Sequence, residues 1–266
     1  MNEINTRELG LFELFSIGWN IFKNNIRAML QIALLIGIPV SVILSLASGI
    51  ITRMLGGTDI TALIDNEDLW AEFITSGMFA NISAVNILAI LVQAVFLPLV
   101  TMAVADVSRD FLNGTAVNAG RSILNSFSKG TVFVIAAIIN MVLTFVGTMF
   151  FIIPGLIVTV WLYFFDYAII YDDAGSIESL KQSKKLVKGQ FFKIAVYILF
   201  INLVSSILSN IVYYIFGGIS MFFAGEVLVR TLTIFTQTFL ACVVSVFYLN
   251  RKALYIKNEN KNNMYF

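Results

Sequence analysis

Long stretches of this chain carry no charged side chain, and the lengths of three of them leave few folds open. These three run from Ala28 to Thr52, from Phe73 to Ala105 and from Gly130 to Phe165. A bilayer core about 30 Å thick is crossed by roughly 20 helical residues. A soluble helical bundle would need a polar face along helices of this length, and these stretches have none. With 59% hydrophobic and only 12% charged residues, the composition also excludes an ordinary soluble domain.

The third stretch is too long for one crossing, since as a single helix it would extend about 54 Å. Pro154 and Gly155 stand near its middle, where Pro suits the first turn of a new helix and Gly permits a tight outer turn. The expected spans are therefore Ala28–Ile51, Ala84–Asp106, Thr131–Phe150, Pro154–Tyr171, Phe191–Phe216 and Val229–Tyr248. The fold class is all-α, a polytopic membrane protein with six crossings. Acids and bases fill the residues before Ala28, so the first run reads as a signal-anchor rather than a cleaved signal. Cys242, the single cysteine, lies inside the last run and reads as a small buried hydrophobe.

Basic residues choose the side. Fifteen of the 17 Lys and Arg residues fall before span one, between spans two and three, between four and five, or after six. Only Arg53 and Arg230 remain for the opposite face. The positive-inside bias then places both termini on the cytoplasmic side of the membrane. The near-zero net charge hides this sidedness and argues against a nucleic-acid partner. On the outer side, Asp59, Asp65, Glu67, Asp68 and Glu72, mixed with Leu69, Trp70, Phe73 and Ile74, predict an acidic loop and a short surface helix. Glu226 and Arg230 have the i, i+4 spacing of a helical ion pair.

A threefold repeat underlies the spans. Glu13, Ser16, Asn20 and Lys23 are spaced three, four, three, as are Asn118, Arg121, Asn125 and Ser128, and again Glu178, Lys181, Lys185 and Lys188. That spacing makes one polar stripe on a helix. Apolar residues opposite (Leu14 and Phe22, Ile123 and Phe127, Ile177, Leu180 and Val187) predict helices lying in the membrane plane, apolar side down. Gly130 and Gly189 mark two of the three elbows that lead into a span. Residues 1–266 thus form one transmembrane domain, with units at about 9–110, 111–173 and 174–252 and a polar tail at 253–266.

Asp106 lies 24 residues before Gly130, and Asp166 lies 23 before Gly189, so both acids end even-numbered spans. Pairing with Lys181 or Arg121 explains them without catalysis. An intramembrane enzyme would require the two to converge. Gln31, Gln93, Asn140, Asn202, Asn210 and Gln237 are expected to bond between helices or to line a substrate path. Pro39 and Pro98 are expected to kink spans one and two.

Ile153-Pro154-Gly155-Leu156, then Phe165-Asp166-Tyr167-Ala168, then Ser176-Ile177-Glu178-Ser179-Leu180-Lys181 through Lys188-Gly189 follow one another in an informative order. This order resembles the membrane domain found N-terminal to some bacterial glycerophosphodiester phosphodiesterases, and that domain's stand-alone relatives. The resemblance is good over Ile153–Ile201 and looser elsewhere. Asn250, in Tyr248-Leu249-Asn250-Arg251, stands where that family's closing motif has Asp. The resemblance implies a lipid- or glycerophosphate-related membrane module without the family's separate hydrolase barrel, which depends on His and on metal-binding carboxylates. This chain has no histidine.

No Walker-type phosphate loop is present. No catalytic residue, metal ligand or cofactor is assigned. The expected partners are membrane lipids, anionic glycerophospholipids among them, and an envelope protein. Lys181, Lys184, Lys185, Lys188 and Lys193 are the candidate contacts to anionic lipid, with Ile177 and Val187 inserting beside them. The leading expectation is a non-enzymatic binding or scaffold module. The alternative is a small permease or export component with a central cavity between the three repeats.

Overall fold

A computed structural model of the protein describes residues 7–55 and 67–263. Twelve elements are defined among them, all helical. α1 is Leu11–Asn24, α2 Ile26–Met54, α3 Glu67–Thr75, α4 Met78–Asn113, α5 Ala119–Ser128 and α6 Gly130–Phe150. α7 is Ile152–Trp161, α8 Phe165–Asp172, α9 Ser176–Val187 and α10 Phe191–Phe216; a 3-10 turn at Gly217–Met221 leads to α11, Phe223–Asn263. Six segments are long and apolar enough to cross a membrane, and their order matches the expected spans. Asp59 and Asp65 lie outside the described residues. The short helix expected beside them is α3, where Trp70 stacks on Phe73 at 5.6 Å.

The spans do not contribute equally to the core. The apolar window of the sixth is 61% buried, against 11–33% for the other five. α11 is therefore the central helix, wrapped by α1, α2, α4 and α10. Its composition suits that place: Thr231, Thr238, Ala241, Cys242 and Ser245 are small and buried, letting neighbours approach closely. Among the described residues α11 packs against helices of both the first and the third unit. It also runs on as helix to Asn263, so most of the expected polar tail is an extension of the last span. No Pro or Gly interrupts that extension.

Core packing is concentrated at one end, called proximal here, where the described N-terminal segment, the three elbow helices and the extension of α11 meet. In α4 every buried residue follows Pro98. In α2 the buried residues stop at Ser45. The opposite, distal halves of these helices carry no comparable core.

The three elbow helices repeat a burial pattern more than a residue pattern. Leu14, Ala119 and Ser179 are buried, and so are Ile21, Ser126 and Leu186 seven residues later. These faces pack on protein, which corrects the expectation of a membrane-facing apolar side: Leu14, Leu180 and Val187 are buried against neighbouring helices. A Cβ on Gly18 would come within 2.6 Å of Val243 Cγ2, so α1 sits almost in backbone contact with α11. The outward apolar side is made by Phe127 and Ile177 of the expected set, together with Phe12, Trp19 and Leu124.

Two glycine and proline expectations change. Gly189 does hold a left-handed backbone, φ 88°, at the third elbow, but Gly130 does not and simply begins α6. The outer turn between spans three and four is the single extended residue Phe151, with Pro154 in the first turn of α7. Gly155 lies inside α7, where a Cβ would strike Thr148 Oγ1 at 2.2 Å. Its role is close helix approach, not the turn itself.

Span four breaks between α7 and α8, at 162–164, without Pro or Gly. Ser183 of α9 takes over the interrupted ladder. Its hydroxyl donates to the Trp161 carbonyl at 2.8 Å and accepts from the Phe164 amide at 3.0 Å.

Candidate functional site

Two regions concentrate polar chemistry, one at each end. The proximal one begins with α9. Burying Ser179, Leu180, Ser183, Leu186 and Val187 forces Lys181, Lys184, Lys185 and Lys188 outward. The five candidate lysines are not equivalent. Lys184 lies 4.5 Å from the centroid of the Trp161 ring. Lys193 pairs with Glu8 at 3.0 Å and sits 5.7 Å from the Tyr197 ring. Lys181, Lys185 and Lys188 form no ion pair with the described residues; Lys181 and Lys185 share one exposed stripe of α9, and Lys188, also exposed, follows the helix as its C-cap with ψ 131°. Of the two side chains expected to insert, only Ile177 is exposed (59%), while Val187 is buried. Phe192, 83% exposed at the start of α10, is an apolar neighbour that sequence reasoning did not single out.

Behind the lysines, carboxylates tie the elbows to the spans. Asp106 is buried and accepts from Arg109 and, at 3.0 Å, from Asn125 of α5. Asp110 pairs with Arg121. Asp172 accepts from Gln182, Tyr248 and Lys252, joining α8, α9 and α11 through one carboxylate. Asp166 has a different setting: it accepts from Thr101 Oγ1 at 3.2 Å and from the Tyr167 amide at 3.0 Å. The expected partners of the span-end acids are thus replaced, since Arg121 binds Asp110 and Lys181 binds neither acid. Asp106 and Asp166 share no hydrogen bond, each having partners of its own.

At the membrane boundary, Lys129 bonds Asp173 and holds its carboxyl below the usual carboxylate range, first through the hydrogen bond and then through charge. In α1, the Gly10 amide and the Arg7 guanidinium do the same for Glu13.

The closing residues clasp the chain's beginning. Asn250 accepts from the Leu9 amide at 3.2 Å and donates to the Arg7 carbonyl at 2.8 Å. Arg251, 6% exposed, donates to Gln190 Oε1 at 2.7 Å and to the Leu186 carbonyl at 3.0 Å. Asp110, Asp172, Ser183 and Arg251 were not singled out from sequence. The resemblance to a closing motif at Tyr248–Arg251 was the one signal pointing there.

Most in-span amides do not bridge helices. Gln93, Asn202 and Asn210 bond carbonyls of their own helices, and Asn140 pairs with Thr144 one turn on. Gln237 does bridge, accepting from Ser205 at 2.9 Å and donating to Ser209 at 3.2 Å.

The distal region is a cavity of about 880 Å³ between α2, α4 and α11. Arg53, Gln93, Glu226 and Arg230 are among its lining, with Leu44, Leu97 and Ile234. Arg230 pairs with Glu226 as the spacing predicts, its Nε and Nη2 at 3.0 and 2.7 Å from one carboxylate oxygen. Among the described residues no group of three or more His, Cys, Asp or Glu side chains is arranged to hold a metal ion.

No protein-family model, curated protein or solved structure matches the chain.

Proposed function

We propose that this integral membrane protein is a non-enzymatic binding or scaffold module of the bacterial cytoplasmic membrane, engaging anionic glycerophospholipid at its proximal, cytoplasmic face. The observation that carries the reading is the exposure, without ion-pair partners, of Lys181 and Lys185 on one stripe of a helix whose other side is locked into the core, and of Lys188 just past its end. A cation beside an anionic leaflet contributes about 1 kcal/mol. Two on one rigid stripe and a third just past the helix end engage neighbouring headgroup phosphates together, with Ile177 and Phe192 reaching into the acyl region. The resemblance over Ile153–Ile201 to a domain that accompanies glycerophosphodiester hydrolases supports the same ligand class. The dense proximal packing suits a platform on which an envelope protein partner assembles.

Mild purification followed by lipid mass spectrometry tests this. The wild-type protein should retain anionic lipid, and the Lys181→Gln, Lys185→Gln, Lys188→Gln variant should lose most of it. Equal retention by the two overturns the reading.

One observation favours the permease alternative in an altered form. The cavity bounded by α2, α4 and α11 is polar in part and lies at the distal end, while the proximal half is packed shut around α11. Transport through it would require the proximal seal to open. Uptake into sealed vesicles, measured beside vesicles lacking the protein, distinguishes the two.

A further inference from the structure

The distal end of the chain has two bases in its loops and span ends, Arg53 and Arg230, and both line the same cavity. They sit on different helices, nearly 180 residues apart in sequence. Their convergence is a product of the fold.

The cavity exists because α2 and α11 diverge. At Gly37 the two helices touch, a Cβ there lying 3.3 Å from Ile234 Cγ2. One turn further, Ser41 Oγ and Thr231 Oγ1 are 3.1 Å apart. By Gly49 a Cβ would meet nothing within 4 Å. The result is a wedge, narrow at Ser41 and Thr231 and wider toward Gly49 and Arg53. From Leu44 to Arg53 the lining of α2 spans about 13 Å at 1.5 Å per helical residue.

The lining has the chemistry of an amphiphile site. Leu44, Leu97, Val229 and Ile234 make apolar walls. Arg230 reaches the carboxylate of Glu226 through one oxygen, and Arg53, exposed, lines the same cavity. Arg53 has no ion-pair partner among the described residues. Thr52 and Thr233 commit their hydroxyls to carbonyls of their own helices. Ser45 does not. It is 1% exposed, lines the cavity, and its Oγ has no hydrogen-bond partner. A buried hydroxyl left unpaired is destabilising and marks a place where a polar partner belongs. Guanidinium groups suit phosphate and carboxylate oxygens, which their fork of N–H donors matches.

We infer that this cavity binds an anionic amphiphile from the distal leaflet, with an acidic phosphate-type head at Arg53 and Arg230 and a hydrocarbon tail along Leu44, Leu97 and Ile234. The site is separate from the lysine stripe and does not depend on it.

The test uses the full chain in neutral maltoside detergent, in the Lys181→Gln, Lys185→Gln, Lys188→Gln background, so that the proximal reading and this one fail independently. n-Dodecyl phosphate is titrated and the thermal unfolding midpoint followed. A saturable rise is expected. Inorganic phosphate at equal concentration should give little, because it lacks the tail. Arg53→Gln should weaken binding about tenfold, the loss of one charge-assisted contact. Gly49→Leu fills open space in the wedge and favours helix, so it should fold and yet abolish binding. Undiminished binding by either variant overturns the proposal. Equal effects of inorganic phosphate and dodecyl phosphate also overturn it, by showing a headgroup site alone.

Discussion

Asn250 accepts a hydrogen bond from the backbone amide of Leu9 while the other atom of the same side-chain amide donates to the Arg7 carbonyl. Only a group that is donor and acceptor at once completes both bonds. An ionised Asp at this position would keep the first and lose the second. Asn250→Asp should therefore destabilise the protein by about 1 kcal/mol or more, the cost of a part-buried carbonyl losing its donor beside a new charge. Asn250→Leu, losing both bonds, should cost more. Denaturation midpoints in one detergent check the order.

Ser183 bridges the break in span four through two bonds from one hydroxyl. Removing it leaves the Phe164 amide and the Trp161 carbonyl without that partner. Ser183→Ala should destabilise by about 1–3 kcal/mol and speed hydrogen exchange at the Phe164 amide. Unchanged exchange there would show that the break is held by other contacts.

Gly18 and Gly49 provide an internal contrast. Both lie within helices, and exposed helical Gly→Ala ordinarily gains up to about 1 kcal/mol. At Gly18 the added carbon meets Val243 Cγ2 at 2.6 Å and its Cα at 2.9 Å, whereas at Gly49 it meets nothing within 4 Å. Gly18→Ala should lose about 1–3 kcal/mol through overpacking, and Gly49→Ala should gain slightly. Thermal unfolding of the two variants side by side reads the difference in sign.

The Lys129–Asp173 pair sets a pH dependence. The folded carboxyl titrates below its unfolded value, so its stabilisation is complete above about pH 4. It fades as pH falls through the lowered folded value. The Asp173 side chain is 78% exposed, so the effect is screened and small. NMR titration of the Asp173 carboxyl should move upward in Lys129→Gln and shift less in high salt.

Sidedness is checked by labelling. Cys242 is fully buried, so the native protein gives a low background to an impermeant thiol reagent. Lys185→Cys should react only from the cytoplasmic side and Arg53→Cys only from the other. Reaction of both from one side would refute the six-span topology.

The span count was readable because a membrane core admits few alternatives to long uncharged helices. Which span sits at the centre was not, since Val229–Tyr248 looks no more apolar than its neighbours. Thr231, Thr238 and Ser245 were the available hint, because small hydroxyl residues suit tight helix packing more than lipid. The break at 162–164 left no local trace, being imposed by Ser183 from another helix. Lys181 and Lys185 were legible as a stripe because helical spacing is local, whereas Lys188, spaced to continue it, falls beyond the helix end. Val187 was misjudged because amphipathicity alone does not distinguish a lipid-facing side from a protein-facing one. The isolation of Arg53 and Arg230 was visible, but their meeting in one cavity required knowing that α2 lies beside α11.

α11 carries the cavity wall at Arg230 and the clasp at Arg251 on one rod, with neither Pro nor Gly between them. They are 21 residues apart, about 31 Å along the axis. A stiff lever of this kind has no joint to absorb a tilt, so a ligand that wedges the distal wall outward swings the far end by a matching angle. The seam between Asn250 and Leu9 lies where that swing is felt.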